Sequence, residues 1–248
     1  MRRLPLAAVR VLDLGAARAG AYCARLLGDA GAEVIRVEPV ARRDGPDERR
    51  LSLHLNRNKL GCALDLSHPR GRDLLLRLAA RSNVVIEGLA GSEKERLALT
   101  YEAFQAARRD IIVASVGGPE EETSISIADV TTGTAAAAAV CAALLHHRRT
   151  GSGLSIDISA RETARTRPPS PDLHSQDRLL LEPVSLPDGR IEEMTGLPWR
   201  FSETPAHVRL PAPRPGEHNR YVFGDLLGLS SEEMAELERE GVIGRREA

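Results

Sequence analysis

A chain of 248 residues with a net charge of -1 at pH 7 has room for one large domain or two small ones. Its balanced charge gives no electrostatic case for a nucleic acid or an anionic membrane as partner. Aromatic residues make up only 3%, so a sizeable core has to be built from Ala, Leu and Val.

The opening MRRLPLAAVRVLDLG is interrupted by Arg10 and Asp13, which suits a first strand over Val9–Leu14 better than a leader peptide. Tyr22, Leu26 and Leu27 give Ala19–Ala30 a helical period, with Gly31 as its stop. Glu33–Val37 reads as a second strand and Gly61–Leu66 as a third. Ser67 is placed to cap a helix over Gly71–Ala80, with Pro69 near its first turn. Strands at Asn83–Glu87 and Asp110–Ser115 follow, separated by helical segments around Glu93–Leu97 and Thr100–Arg109. Regular alternation of strand and helix predicts an α/β fold: a mostly parallel, Rossmann-like sheet covered by helices on both faces.

From Arg165 to Arg190 the chain carries Pro168, Pro169, Pro171, Pro183 and Pro187 without a clear period, the pattern of a linker or extended crossing segment. Leu197–Pro215 is again rich in proline and predicts an extended tail that needs a surface, either the first domain or another subunit. Ser230 followed by Glu233 is a capping-box pattern for a last helix to about Arg239.

Cys23 and Cys141 fall in helical patterns and Cys62 in a strand pattern. Buried, reduced thiols in a cytoplasmic protein account for this odd number best. No apolar run is long enough to span a bilayer on this reading. Gly15-x4-Gly20 sits between strand one and a helix but lacks the dinucleotide spacing. Arg18, Arg36, Arg57, Arg96 and Lys59 could hold phosphates or be solvated surface charge. No His or Cys spacing suits a metal, and no nucleophile elbow is present.

Asp129 stands at the mouth of an Ala-rich helix that closes with His146, His147, Arg148 and Arg149 before a Gly-Ser-Gly turn. The positive end of the helix dipole favours its ionised form. An ionised, positioned carboxylate can be a nucleophile and can equally be an N-cap.

Four blocks of this sequence resemble the class III CoA-transferases, the group of formyl-CoA and carnitine CoA-transferases. They are PLAAVRVLDLGAARAGAYCARLLGDAGAEVIRVEP, then Asn56–Glu87, then ADVTTG at Ala128–Gly133 with ALLHHRRTGSG behind it, and last Gly196–His218. The resemblance implies that Asp129 is the nucleophile toward an acyl-CoA thioester. It implies a CoA pocket at Ala17, Arg18, Ala19, Leu66, Leu89 and Arg96. Coenzyme A is then a substrate, exchanged with a carboxylic acid, and no cofactor is held permanently. It also implies an interlocked homodimer, the alternative being a heteromer with a full-length homologue. Residues 1–164 would form the α/β domain. Residues 165–195 would be a linker where the family has a small domain, largely absent here, and 196–248 a segment returning to the large domain or the partner subunit.

The departures from the family pattern are specific. Gly117–Thr123 bridges a stretch that is tens of residues long in the family, and Glu87-Gly88-Leu89 stands for the usual Glu-Asn-Phe. Ala21 replaces a proline, and Pro39 follows Glu38 where some members have an arginine. Each change weakens CoA affinity or water exclusion. Two further readings stay open. One is an α-methylacyl-CoA racemase-like enzyme, although no histidine lies between Pro69 and Asp129 to pair with it. The other is a non-catalytic partner subunit.

Overall fold

The computed structural model describes residues 4–14, 17–40, 52–89, 91–117, 125–159, 181–185, 190–195 and 208–244. Gly15, most of the Gly117–Thr123 bridge, and residues 160–180 and 196–207 of the linker and tail lie outside the described residues.

Six strands form one sheet: β1 Arg10–Asp13, β2 Glu33–Glu38, β3 Lys59–Ala63, β4 Val84–Glu87, β5 Ile112–Gly117 and β6 Leu154–Ser159. Every pairing is parallel, in the order β3-β2-β1-β4-β5-β6. Near-continuous apolar runs such as VVIE in β4, buried throughout, are what a sheet covered on both faces requires. The α/β class expected from the alternation is the observed one. Chain direction across the sheet reverses between β1 and β4, and a doubly wound sheet opens a crevice beyond the carboxyl ends of those two strands.

Helices α1 (Arg18–Asp29) and α5 (Ile127–Thr150) cover one face. The other is covered by α2 (Pro69–Ala80), by α4 (Tyr101–Ala107), and by a C-terminal stretch holding a π-helical turn (Arg220–Leu226) and α6 (Ser231–Arg239). The short α3 (Gly91–Leu97) follows β4. The α1–α5 contact is set by Gly133. A Cβ there would lie 2.6 Å from the Ala19 carbonyl oxygen and 3.0 Å from Tyr22, so any larger residue would push the helices apart.

Several local expectations change. The cap of α2 is His68, whose side chain accepts from the Arg70 amide, while Ser67 bonds Asp65 instead. Strand β3 begins at Lys59 and ends at Ala63, earlier than the GCALDL run suggested. Within the span read as a linker, β7 (Leu181–Ser185) and β8 (Ile191–Thr195) pair as antiparallel strands. Helix α5 is 24 residues long and passes the length and composition test for a bilayer span, against the expectation of no such run. Small alanines rather than large apolar residues carry it past that test. Cys141 on its outer side is exposed rather than buried, while Cys23 and Cys62 are buried as expected.

The edge of β3 is sealed by the chain's own C-terminal stretch. Asn58 N–H donates to the Leu210 carbonyl at 3.0 Å, and His218 N–H to the Gly61 carbonyl at 2.9 Å. Asn219 Oδ1 accepts from Ala63 N–H at 3.1 Å, and Leu64 bridges to Ile243. Ser230 and Glu233 form the predicted capping box of α6.

Candidate active site

The first turn of α5 is held by a reciprocal pair of side-chain bonds. Ser126 is the N-cap, and its Oγ accepts from the Asp129 amide at 3.1 Å. In return Asp129 Oδ2 accepts from the Ser126 amide at 2.9 Å and from the Ser126 hydroxyl at 2.8 Å. Asp129 is therefore not the cap; it is the third helical residue of a capping box. The Ser-x-x-Asp spacing at 126–129 was visible in the sequence, as Ser230-x-x-Glu233 was.

This arrangement uses one carboxylate oxygen and leaves the other. Asp129 is 1% exposed, and its Oδ1 is buried with no hydrogen-bond partner among the described residues. Thr132 Oγ1, one turn along the same face, is buried and unpartnered in the same way. The macrodipole of a long helix compensates part of the charge at its N-terminus. A buried polar atom left without a bond still costs about 1–3 kcal/mol. Such an atom in a native structure calls for an explanation in function or in a bound species.

Asp129 lies one helical turn from the contact of α5 with the start of α1. Gly133, one turn below it, presses on the Ala19 carbonyl at the start of α1. Ala17 caps α1 with extended backbone, Arg18 is half-buried and Ala19 fully buried. Gly88, just past β4, packs so tightly that a Cβ there would sit 2.8 Å from Ala17 Cβ and 2.9 Å from the Val116 carbonyl. The loop after β1, the end of β4 and the end of β5 thus meet beside the catalytic-helix candidate. Leu66 and Leu89 are half-buried against the apolar cluster on the opposite face of the sheet from α5. Arg96 is 62% exposed on α3 and pairs with Glu93 at 3.6 Å, with no described contact to the crevice.

The structure adds residues that the sequence reading missed. Glu87 at the end of β4 is buried and ion-paired with Lys94 of α3 at 2.6 Å. It also accepts from the Ser115 hydroxyl of β5 and, at 2.9 Å, from the Leu89 amide. This pair fixes the loop that carries Gly88 and Leu89. No local pattern announces it, because its members come from separate elements.

Three of the suggested phosphate ligands are committed elsewhere. Arg57 forks onto Asp29, with its closer nitrogen at 2.8 Å, and Arg36 pairs with Glu38 at 2.9 Å. Lys59 is fully buried and donates to Asp13 at 2.7 Å, to the Ala21 carbonyl at 2.8 Å and to Asn56 at 3.1 Å. Burial lowers the Lys59 ammonium to about 8, with Asp13 pulling the other way. Cations already neutralised inside the protein are poor phosphate ligands.

The sequence comparisons identify the family. The profile of CoA-transferase family III matches residues 6–118 and 117–166, in two pieces that meet where the shortened bridge begins. The chain belongs to CoA-transferase family III. A succinyl-CoA–D-citramalate CoA-transferase of Chloroflexus aurantiacus is 37% identical over 125 residues, 46% of this chain and 31% of that protein. Succinyl-CoA:glutarate CoA-transferase of Mus musculus is 32% identical over 196 residues, 62% of this chain and 45% of that protein. The human alpha-methylacyl-CoA racemase is 35% identical over 115 residues, 46% of this chain and 28% of that protein. This family III chain therefore spans less than half the length of these curated relatives. Among solved structures, a hypothetical protein of Mycobacterium tuberculosis superposes with a TM-score of 0.57 at 27% identity, covering 66% of this chain and 57% of that one.

Proposed function

We propose that this chain moves CoA between an acyl-CoA thioester and a carboxylic acid, with Asp129 as nucleophile. The open Asp129 Oδ1 attacks the thioester carbonyl carbon, the C–S bond breaks, and CoA leaves as a thiolate from a mixed anhydride. The thiolate returns to the aspartyl carbonyl, releases the acyl group as a carboxylate and leaves an aspartyl-CoA thioester. An acceptor carboxylate then takes the CoA. The observation that carries this reading is the division of labour at Asp129, where Ser126 holds Oδ2 and nothing described holds Oδ1. A fixed, ionised and dry carboxylate is what an anhydride route needs.

For the CoA moiety we propose Ala17, Arg18, Ala19, Leu66, Leu89 and Arg96, the first three being supported by their place beside the crevice. Arg96, on an exposed turn, would act as a solvent-side phosphate partner. We further propose a cytoplasmic protein that works as a homodimer or beside a full-length homologue. The outer face of α5, with Ile127 67% and Leu145 49% exposed, supports an assembly, because a long apolar helix face in water is unfavourable.

The test is intact-protein mass spectrometry after incubation with succinyl-CoA, comparing the wild type with Asp129→Ala. A CoA adduct that disappears in the variant is expected; a wild type that stays folded and acquires no adduct sinks the proposal. The racemase relative supports a second reading, in which Asp129 exchanges an α-proton. Deuterium uptake from solvent into 2-methylacyl-CoA, without release of CoA, would select it.

A further inference from the structure

The proposed attack by Asp129 pushes an electron pair onto the acyl carbonyl oxygen, and that oxygen needs a hydrogen-bond donor. We infer that Thr132 Oγ is this donor, an assignment that rests on the transferase reading.

The buried stripe of α5 runs Asp129, Thr132, Gly133, Ala136, Ala137, Val140 and Ala143. It is apolar from Ala136 onward and becomes polar only in the first turns, next to the start of α1. Other threonines of this helix satisfy their hydroxyls by bonding back one turn. Thr131 donates to the Ile127 carbonyl at 2.8 Å, Thr134 to Val130 at 2.7 Å and Thr150 to His146 at 3.0 Å. Thr132 does not. It is 0% exposed, and its hydroxyl has no partner among the described residues. Valine has the same shape and would carry no unbonded hydroxyl.

Two buried atoms thus have no partner among the described residues and lie on one helix face, three residues apart, a spacing that makes side chains neighbours at roughly 5–6 Å between Cβ atoms. Their hydrogen-bonding roles are opposite. Asp129 Oδ1 has a lone pair to give, and the Thr132 hydroxyl has a proton to donate. In this assignment the substrate carbonyl lies between them, with its carbon toward the carboxylate and its oxygen toward the hydroxyl. When the Oδ1–carbon bond forms, the carbonyl π pair moves to oxygen and is met by the Thr132 O–H, which keeps its proton. The pair returns as the C–S bond breaks, and the bonding electrons leave with the CoA sulfur.

The experiment compares Thr132→Val and Thr132→Ser with the wild type, using succinyl-CoA as the probe and reading adduct formation, steady-state kinetics and thermal unfolding. Thr132→Val should lose roughly 10²–10³-fold in kcat, the usual loss for one such donor. Its KM should change little, and its thermal midpoint should stay level or rise. Thr132→Ser should keep the rate within about tenfold of the wild type. A Thr132→Val protein that turns over at the wild-type rate overturns the inference alone, leaving at most a bound water between the two atoms. A lowered midpoint also overturns it, since the hydroxyl would then have a structural partner. A wild type that forms no Asp129-dependent adduct overturns the transferase reading and this assignment together.

Discussion

Asp13, Asp29 and Asp129 are almost equally buried, at 0%, 0% and 1% exposure, but they are treated in opposite ways. Asp29 receives a forked Arg57, the Asn58 amide and, at 3.6 Å, Arg25. Asp13 receives the Lys59 ammonium, which is itself bound to Asn56 and the Ala21 carbonyl. These clusters tie α1 to the approach to β3, and through Asn58 they also hold the amides of Arg209 and Leu210. Asp129 has one oxygen bonded and one without a partner among the described residues. Stability explains a carboxylate whose bonds are complete; the incomplete set at Asp129 among the described residues is what the proposed nucleophile rests on.

The largest effect that could break this contrast is on turnover. Asp129→Ala should remove at least roughly 10⁴-fold of CoA transfer, the scale of losing a central catalytic group, with only a small change in unfolding free energy. Residual activity near the wild-type level would return Asp129 to a purely structural role. At the other cluster the balance should invert. Lys59→Met leaves Asp13 buried without its cation and should cost about 3–5 kcal/mol in denaturant titrations at neutral pH. A loss below about 1 kcal/mol would show that the Asp13 cluster tolerates an open acceptor as readily as Asp129 does. Ser126→Ala removes the cap and the hydroxyl donor to Asp129 Oδ2, leaving only the backbone amide as its donor. It should cost about 0.5–2 kcal/mol and lower the rate while leaving KM nearly unchanged; a rate equal to wild type would mean that Ser126 does not orient the nucleophile.

The smallest effect is in pH dependence. Lys59 loses its proton near pH 8 when folded but near 10.5 when unfolded. Between those values the unfolded chain binds more protons, so the Lys59 contribution to stability rises with pH across that window and is flat below it. Burial raises the thiols of Cys23 and Cys62, which pulls stability down above about pH 9. The wild type and Lys59→Met share those thiols, so the difference between the two curves should rise from pH 8 to 10.5. A level difference would mean that Lys59 is not desolvated.

Much of the fold was legible because it is local. Runs such as EVIRV and NVVIE mark buried strands, and Ser230-x-x-Glu233 opened α6 where expected. At the site, Asp129 was legible as a carboxylate at a helix start, and Ser126 should have been, since the same spacing rule covers it. Thr132 was not, because a threonine one turn from an aspartate has no distinguishing pattern until its hydroxyl is found buried and unbonded. The Glu87–Lys94 pair joins a strand to a helix, and the hold of Asn58 on residue 209 spans 151 positions; neither follows from spacing.

By itself the sequence determined the strand–helix alternation, the helix that places a carboxylate at its positive end, and the likeness of the blocks Asn56–Glu87 and Ala128–Gly133 to a transferase family. These depend on residue periodicity and on side chains acting within a few positions of one another. Only the tertiary structure decided which buried charges are neutralised, which sheet edge the tail seals, and which oxygen of Asp129 the Ser126 cap holds. The first two outcomes depend on groups far apart in the chain, which meet only when the sheet and its covering helices are packed.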